Sequence, residues 1–219
     1  MSTRVGVLHT VPALVPVFDT LLRARSDDLD IVHTADASLL SRAIADGVTD
    51  DLRASLREHL RGLRDAGAES VLVTCSSIGE AAVEAAAVVG VPLQRVDAPM
   101  AAEAVTRASA GSGRILVLAT LEATLGPTTR LVEAAATTET GEIAVESRVV
   151  EGAAAARSAG DLKEHDALIA AAITEAGDVD AIVLAQASMA SGAGADSRVL
   201  TSPESGAAAF VTSPGAAGR

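Results

Sequence analysis

The chain has 219 residues, of which 49% are hydrophobic and 21% charged, with a formal net charge of −12. That is enough apolar material for one large domain or two lobes, and so acidic a chain lacks the basic face that nucleic acids and anionic membranes require. Without Trp or Tyr, and with Phe18 and Phe210 as its only phenyl rings, it must build its core from Val, Leu, Ile and Ala and cannot line a pocket by aromatic stacking.

In chain order, Arg4 opens an apolar run that reaches Phe18. Pro12 and Pro16 interrupt the run, and no small-residue cleavage site precedes Asp19. It reads as a first strand and not as a signal peptide. No uninterrupted apolar stretch is long enough to span a membrane. The single cysteine excludes an internal disulfide and agrees with a cytoplasmic location. Strands are expected at 4–8, 30–33, 70–74, 93–96, 114–119, 142–150, 181–185 and 198–201. They alternate with helical patterns, as in a parallel sheet with crossover helices. A helix over 49–66 has Thr49 as its cap, Asp50 and Asp51 in its first turn and Gly67 as its stop. Leu52, Leu56, Leu60 and Leu63 fall on one face of it. Ser77 with Glu80, and Asp161 with Glu164, make capping-box patterns. The second opens a helix that runs to about Gly177. Gly111-Ser112-Gly113 reads as a linker between halves, and Ser202-Pro203-Glu204 as a helix start.

The chain also repeats itself. Val7-Leu8-His9-Thr10 recurs as Val117-Leu118-Ala119-Thr120, and the segment around Cys75 recurs around Gln186 at nearly the same separation. Asp97-Ala98-Pro99 is echoed more weakly by Thr201-Ser202-Pro203. The collinear order implies an α/β fold of two pseudo-symmetric, Rossmann-like, three-layer lobes with largely parallel sheets. Residues 1–97, completed by 200–219, would form the first lobe and 98–199 the second. The active site is expected in the cleft between them, at the carboxyl ends of the strands.

Cys75 ends the apolar strand Val71-Leu72-Val73 and precedes a helix start. Free backbone N–H groups there bind carboxylates and favour thiolate. The competing reading is a small buried hydrophobe. His9 ends the first strand, either as a titratable base or as a ring that hydrogen-bonds its loop. His59 and His165 lie in charged surroundings that suit solvated faces, and His33 ends the second strand without a visible partner set. One Cys and scattered His leave no metal-ligand spacing.

The segments RVGVLHTVPALVPVF, VLVTCSSIGEAA, IVLAQASMA and VLTSPESG together resemble the aspartate/glutamate/hydantoin racemase superfamily, which includes arylmalonate decarboxylase and maleate isomerase. The resemblance covers nearly the whole chain. It implies a cofactor-independent racemase or isomerase that moves a proton at the carbon next to the carboxylate of a small amino or dicarboxylic acid. Cys75 would be the catalytic thiol, with His9 as a candidate second base. Thr10, Ser76, Ser77, Thr120, Gln186, Ser188 and Ser202 would hold the substrate. No metal or cofactor is implied, and a homodimer is expected on base rates alone.

The sequence departs from the family pattern where the second cysteine should stand, at Gln186. An amide exchanges no proton usefully near neutral pH, so a symmetrical two-thiol mechanism is excluded. Three readings stay open: racemisation or isomerisation with unlike partners, cofactor-free asymmetric decarboxylation of a malonate-type acid, and a non-catalytic carboxylate-binding module.

Overall fold

The computed structural model describes residues 2–137 and 142–213. The chain divides into two compact units, one running to Val96 and resuming at Pro203, the other spanning Asp97–Ser202. The first unit holds β1 (Thr3–His9), α1 (Val15–Arg23), β2 (Leu29–Ala35), α2 (Ala37–Asp46), α3 (Asp50–Asp65), β3 (Ser70–Val73), α4 (Gly79–Val89) and β4 (Leu93–Arg95). The second holds α5 (Ala98–Ala110), β5 (Arg114–Ala119), α6 (Glu122–Ala136), β6 (Ala144–Val149), α7 (Ala153–Ser158), α8 (Leu162–Thr174), β7 (Ala181–Leu184) and β8 (Val199–Thr201). The last helix, α9 (Ser202–Thr212), packs in the first unit. All eight expected strands form, with ends displaced by no more than two residues.

Each unit is one parallel four-stranded sheet, ordered β2-β1-β3-β4 in the first and β6-β5-β7-β8 in the second. The orders are identical once four is added to each strand number. Register repeats as well. Val5 pairs with Ser70 in the first sheet, and their counterparts in the repeat, Ile115 and Ala181, pair in the second. The two main echoes legible in the sequence are therefore those of equivalent paired strands.

Side chains alternate across each strand, so the buried apolar runs feed two faces. Val5, Val7 and Leu72 pack with Phe18 and Leu22 of α1 and with Ala207 and Phe210 of α9. Leu8, Val71 and Val73 pack on the opposite face against α2, α3 and α4. The second unit repeats the three layers, with α5 and α6 on one face and α7 and α8 on the other. Helix starts follow the capping chemistry. Thr49 Oγ1 accepts from Leu52 N at 3.3 Å, and Asp161 Oδ1 accepts from Glu164 N at 3.0 Å. The four leucines of α3 are all buried.

Two readings of chain organisation change. The strand at 198–201 was expected to complete the first lobe, but β8 pairs with β7, so only α9 returns. Residues beyond 213 lie outside the described ones. The glycine turn at 111–113 joins α5 to β5 inside the second unit and is no linker between the units. The Asp180 carboxylate pins it, accepting from Ser112 N (2.8 Å), Ser112 Oγ (3.0 Å) and Arg114 N (2.8 Å). These donors hold the carboxyl below its usual range.

The return of α9 depends on a missing side chain. A Cβ at Gly206 would lie 2.4 Å from the Val96 carbonyl oxygen and 2.6 Å from Val96 Cγ2. Backbone cannot rotate aside as a side chain can. Gly206→Ala is therefore expected to lift α9 from β4 and to cost about 1–3 kcal/mol, the usual range for overpacking. The check is denaturant unfolding against wild type.

Candidate active site at the strand ends

In the first sheet the chain moves outward from β1 to β2 and then returns to the other side of β1 for β3. The gap between the carboxyl ends of β1 and β3 is thus the switch point where an open α/β sheet takes its ligands. Thr10 follows β1, and Thr74 and Cys75 follow β3, at that gap.

Cys75 is partly open to solvent, while Ser76 and Ser77 beside it are buried. A 3-10 turn, Ser76–Ile78, begins directly after the cysteine, and α4 starts at Gly79 with Ile78 as its cap residue. This corrects the expected capping box, since Ser77 sits inside the tight turn and not at the head of the α-helix. The turn still directs N–H groups at the sulfur. Burial pushes the thiol pKa up, against opposing pulls from the Thr10 hydroxyl, the N–H groups of Ile78 and Ser77, and the Ser77 hydroxyl. The free protein therefore favours thiol over thiolate, contrary to the expectation from a helix start alone, while keeping four donors ready for the anion. Thr10 is buried, and its Oγ1 has no hydrogen-bond partner of good geometry. Its hydroxyl is among the groups that favour the Cys75 thiolate.

The short segment after Cys75 also needs a glycine. Arg95, at the end of β4, is buried with its guanidinium against Gly79, and a Cβ there would lie 2.6 Å from Nε and 2.8 Å from Cζ.

His9 is wholly enclosed. Its Nε2 lies 2.9 Å from His33 Nδ1 and its Nδ1 lies 3.1 Å from Thr74 Oγ1. His33 Nε2 in turn faces Asp19 Oδ1 at 3.3 Å, and Arg23 holds both oxygens of that carboxylate at 3.0 Å. The ring packs against Phe18, on the α1 side of the sheet, whereas Cys75 packs with the α2–α4 cluster on the other side. A second-base role for His9 therefore has no open ring nitrogen to act through. Burial, reinforced by the neighbouring His33, lowers its pKa from 6.5 to about 4.

The second unit has the same switch point between β5 and β7. Thr120 and Gln186 stand there and hold each other. Gln186 Oε1 accepts from Thr120 N at 2.7 Å, and Gln186 Nε2 donates to Thr120 Oγ1 at 2.8 Å. The residue in the second-cysteine position is a clamp between two strand ends. Gln186→Leu would leave the Thr120 N–H without that acceptor and is expected to cost about 1–3 kcal/mol, read by thermal unfolding. Ser188 lies in the 3-10 turn Ala187–Gly192, and Ser202 opens α9, buried.

The remaining histidines are less exposed than their neighbours in sequence imply. His165 is fully buried, with Nδ1 2.9 Å from Ala153 O, because α8 turns that face onto α7. His59 Nε2 lies 2.9 Å from Asp36 Oδ2, tying α3 to the head of α2. Neither stands on a fully solvated face. Among the described residues, no three or more His, Cys, Asp or Glu are grouped to hold a metal ion, and no helix is long and apolar enough to cross a membrane.

The family model described as Asp/Glu/Hydantoin racemase matches residues 13–210. No curated protein matches in sequence. Among solved structures, glutamate racemase from Bacillus anthracis is similar at 18% identity and a TM-score of 0.70, covering 96% of this chain and 80% of that one. Aspartate racemase from Picrophilus torridus has 16% identity and a TM-score of 0.69, covering 96% and 93%. A variant of arylmalonate decarboxylase has 20% identity and a TM-score of 0.55, covering 93% and 89%. At these identities the structural likeness concerns the fold.

Proposed function

We propose that this chain, which belongs to the Asp/Glu/hydantoin racemase family, moves a proton at the carbon next to a carboxylate, with Cys75 as the proton carrier. The observation that carries this reading is a half-buried cysteine at the carboxyl end of β3, with two backbone N–H groups and the hydroxyls of Thr10 and Ser77 favouring its thiolate. Such donors, fixed before the reaction, stabilise negative charge on sulfur or on a substrate carboxylate without reorganising. The substrate class that fits is a small amino or dicarboxylic acid. In exchange, the thiolate takes the α-proton, leaving the electron pair in an enediolate, and the thiol returns a proton to the same carbon. A single thiol works on one face only, so inversion needs a different group on the other.

A second reading has its own support, namely that burial favours the protonated thiol. A neutral S–H suits a proton donor. In decarboxylation of a malonate-type acid, the C–C bond breaks, CO₂ leaves, and the electron pair stays on the α-carbon. Cys75 then gives its proton to that carbon, and water restores the thiol.

The deciding experiment offers amino, dicarboxylic and malonate-type acids to the protein in D₂O. Deuterium entering unreacted substrate at the α-carbon supports the isomerase reading, and CO₂ release with one deuteron in the product supports the decarboxylase. Ligand-induced thermal stabilisation with neither reaction would leave a carboxylate-binding module and would overturn both.

A further inference from the structure

His9, His33, Asp19 and Thr74 form a connected chain of side chains that the proposed reaction does not use. They come from β1, β2, α1 and the residue following β3, and meet on the face of the sheet opposite Cys75. For neutral rings, the donors along the chain follow from its Asp19 end. Asp19 is a carboxylate, so His33 Nε2 must carry hydrogen to bond it. With His33 neutral, its Nδ1 is then an acceptor and takes hydrogen from His9 Nε2. His9 Nδ1 is left as an acceptor and takes the hydroxyl hydrogen of Thr74. In that state the bonds run one way, from Thr74 through His9 and His33 to Asp19. Thr74 Oγ1 has one alternative acceptor, the Leu8 carbonyl at 3.3 Å.

The two ends of this chain of bonds differ. Asp19 is half-exposed and paired with Arg23. Thr74 is buried, is the residue before Cys75, and has its N–H bonded to Leu8 O at 3.0 Å. His9 in turn is the residue before Thr10, whose hydroxyl favours the Cys75 thiolate. One ring thus fastens together the two backbone segments that meet at the sulfur.

We propose that His9 is a positioning residue: held by His33 and Asp19, it locks the ends of β1 and β3 so that Thr10 and the Ser76–Ile78 turn stay aimed at Cys75. The inference rests on Cys75 being the working thiol, but its test does not use turnover. The groups facing His9 are His33 from β2, Asp19 with Arg23 from α1, and Thr74 after β3. Phe18 of α1 and Phe210 of α9 supply apolar cover on the same face.

Because Cys75 is the chain's one cysteine, the rate of its alkylation by iodoacetamide across pH reports on this thiol alone. Thr74→Val keeps the side-chain shape and removes the hydroxyl. It is expected to raise the thiol midpoint and to slow alkylation below that midpoint by about 2–10-fold, the equivalent of one hydrogen bond. Asp19→Asn, altered only at the half-exposed end, should shift the profile in the same direction by about twofold, as expected for a weakened charge-assisted bond. It also decides the matter if Thr74→Val does not fold. Profiles that superimpose on wild type in the folded variants would overturn the proposal. Failure of the catalytic reading would look different: Cys75→Ala would retain turnover, whatever the alkylation profiles show.

Discussion

Between pH 6.5 and about 4 the protein is expected to lose on the order of 3 kcal/mol of stability through His9 alone. The unfolded ring takes a proton near 6.5, whereas the folded ring, buried and facing His33, resists until about 4. Within that window the unfolded state binds more protons, so stability rises with pH there. The contribution is complete above 6.5 and gone below about 4. Carboxylates held by hydrogen bonds, such as Asp180 and Asp196, have lowered folded-state pKa values. Their contributions are present above the ordinary carboxylate pKa and fade as pH falls through it, mostly below the His9 window. Urea unfolding at half-unit pH steps should show the slope in wild type and a markedly flatter line in His9→Asn. Parallel slopes would remove His9 as the cause.

Cys75→Ala is expected to lower turnover on the accepted substrate by about 10²–10⁴-fold, the usual contribution of one positioned acid or base. No second thiol can substitute, because the chain has only one cysteine. Gln186 cannot do so either, since its amide does not titrate and both its heteroatoms bond Thr120. Substrate affinity should change little, because backbone N–H groups of the turn remain. The effect should thus fall on kcat, with ligand-induced thermal stabilisation preserved. Loss of ligand-induced stabilisation together with turnover would instead make Cys75 a binding or packing residue.

The sheets were legible because both faces of the central strands β1, β3, β5 and β7 are covered, so these strands read as apolar runs. The repeat was legible because equivalent strands keep their register, with Val5 and Ser70 answered by Ile115 and Ala181. Cys75 stood out for its position at a strand end. The Asp19–His33–His9–Thr74 chain was hidden, since its members are scattered over three strand ends and a helix. The usable signal was parity. Val7 pairs with His33 across β1 and β2, so His33 and His9 share a face. The Ser77–Glu80 spacing misled because a 3-10 turn, which a capping pattern does not reveal, precedes α4. His165 and His59 misled because charged neighbours in sequence say little about which way a helix face turns. Gln186 could be read as an absent thiol, but its clamp on Thr120 depends on β5 and β7 being adjacent.

The most direct test of the central claim is deuterium entry at the α-carbon, followed by proton NMR, for wild type and Cys75→Ser side by side. The account predicts one deuteron per turnover with wild type and incorporation at least about 10²-fold slower with the serine variant, whose hydroxyl is far too weak an acid to replace the thiol. Equal rates in the two proteins would contradict it.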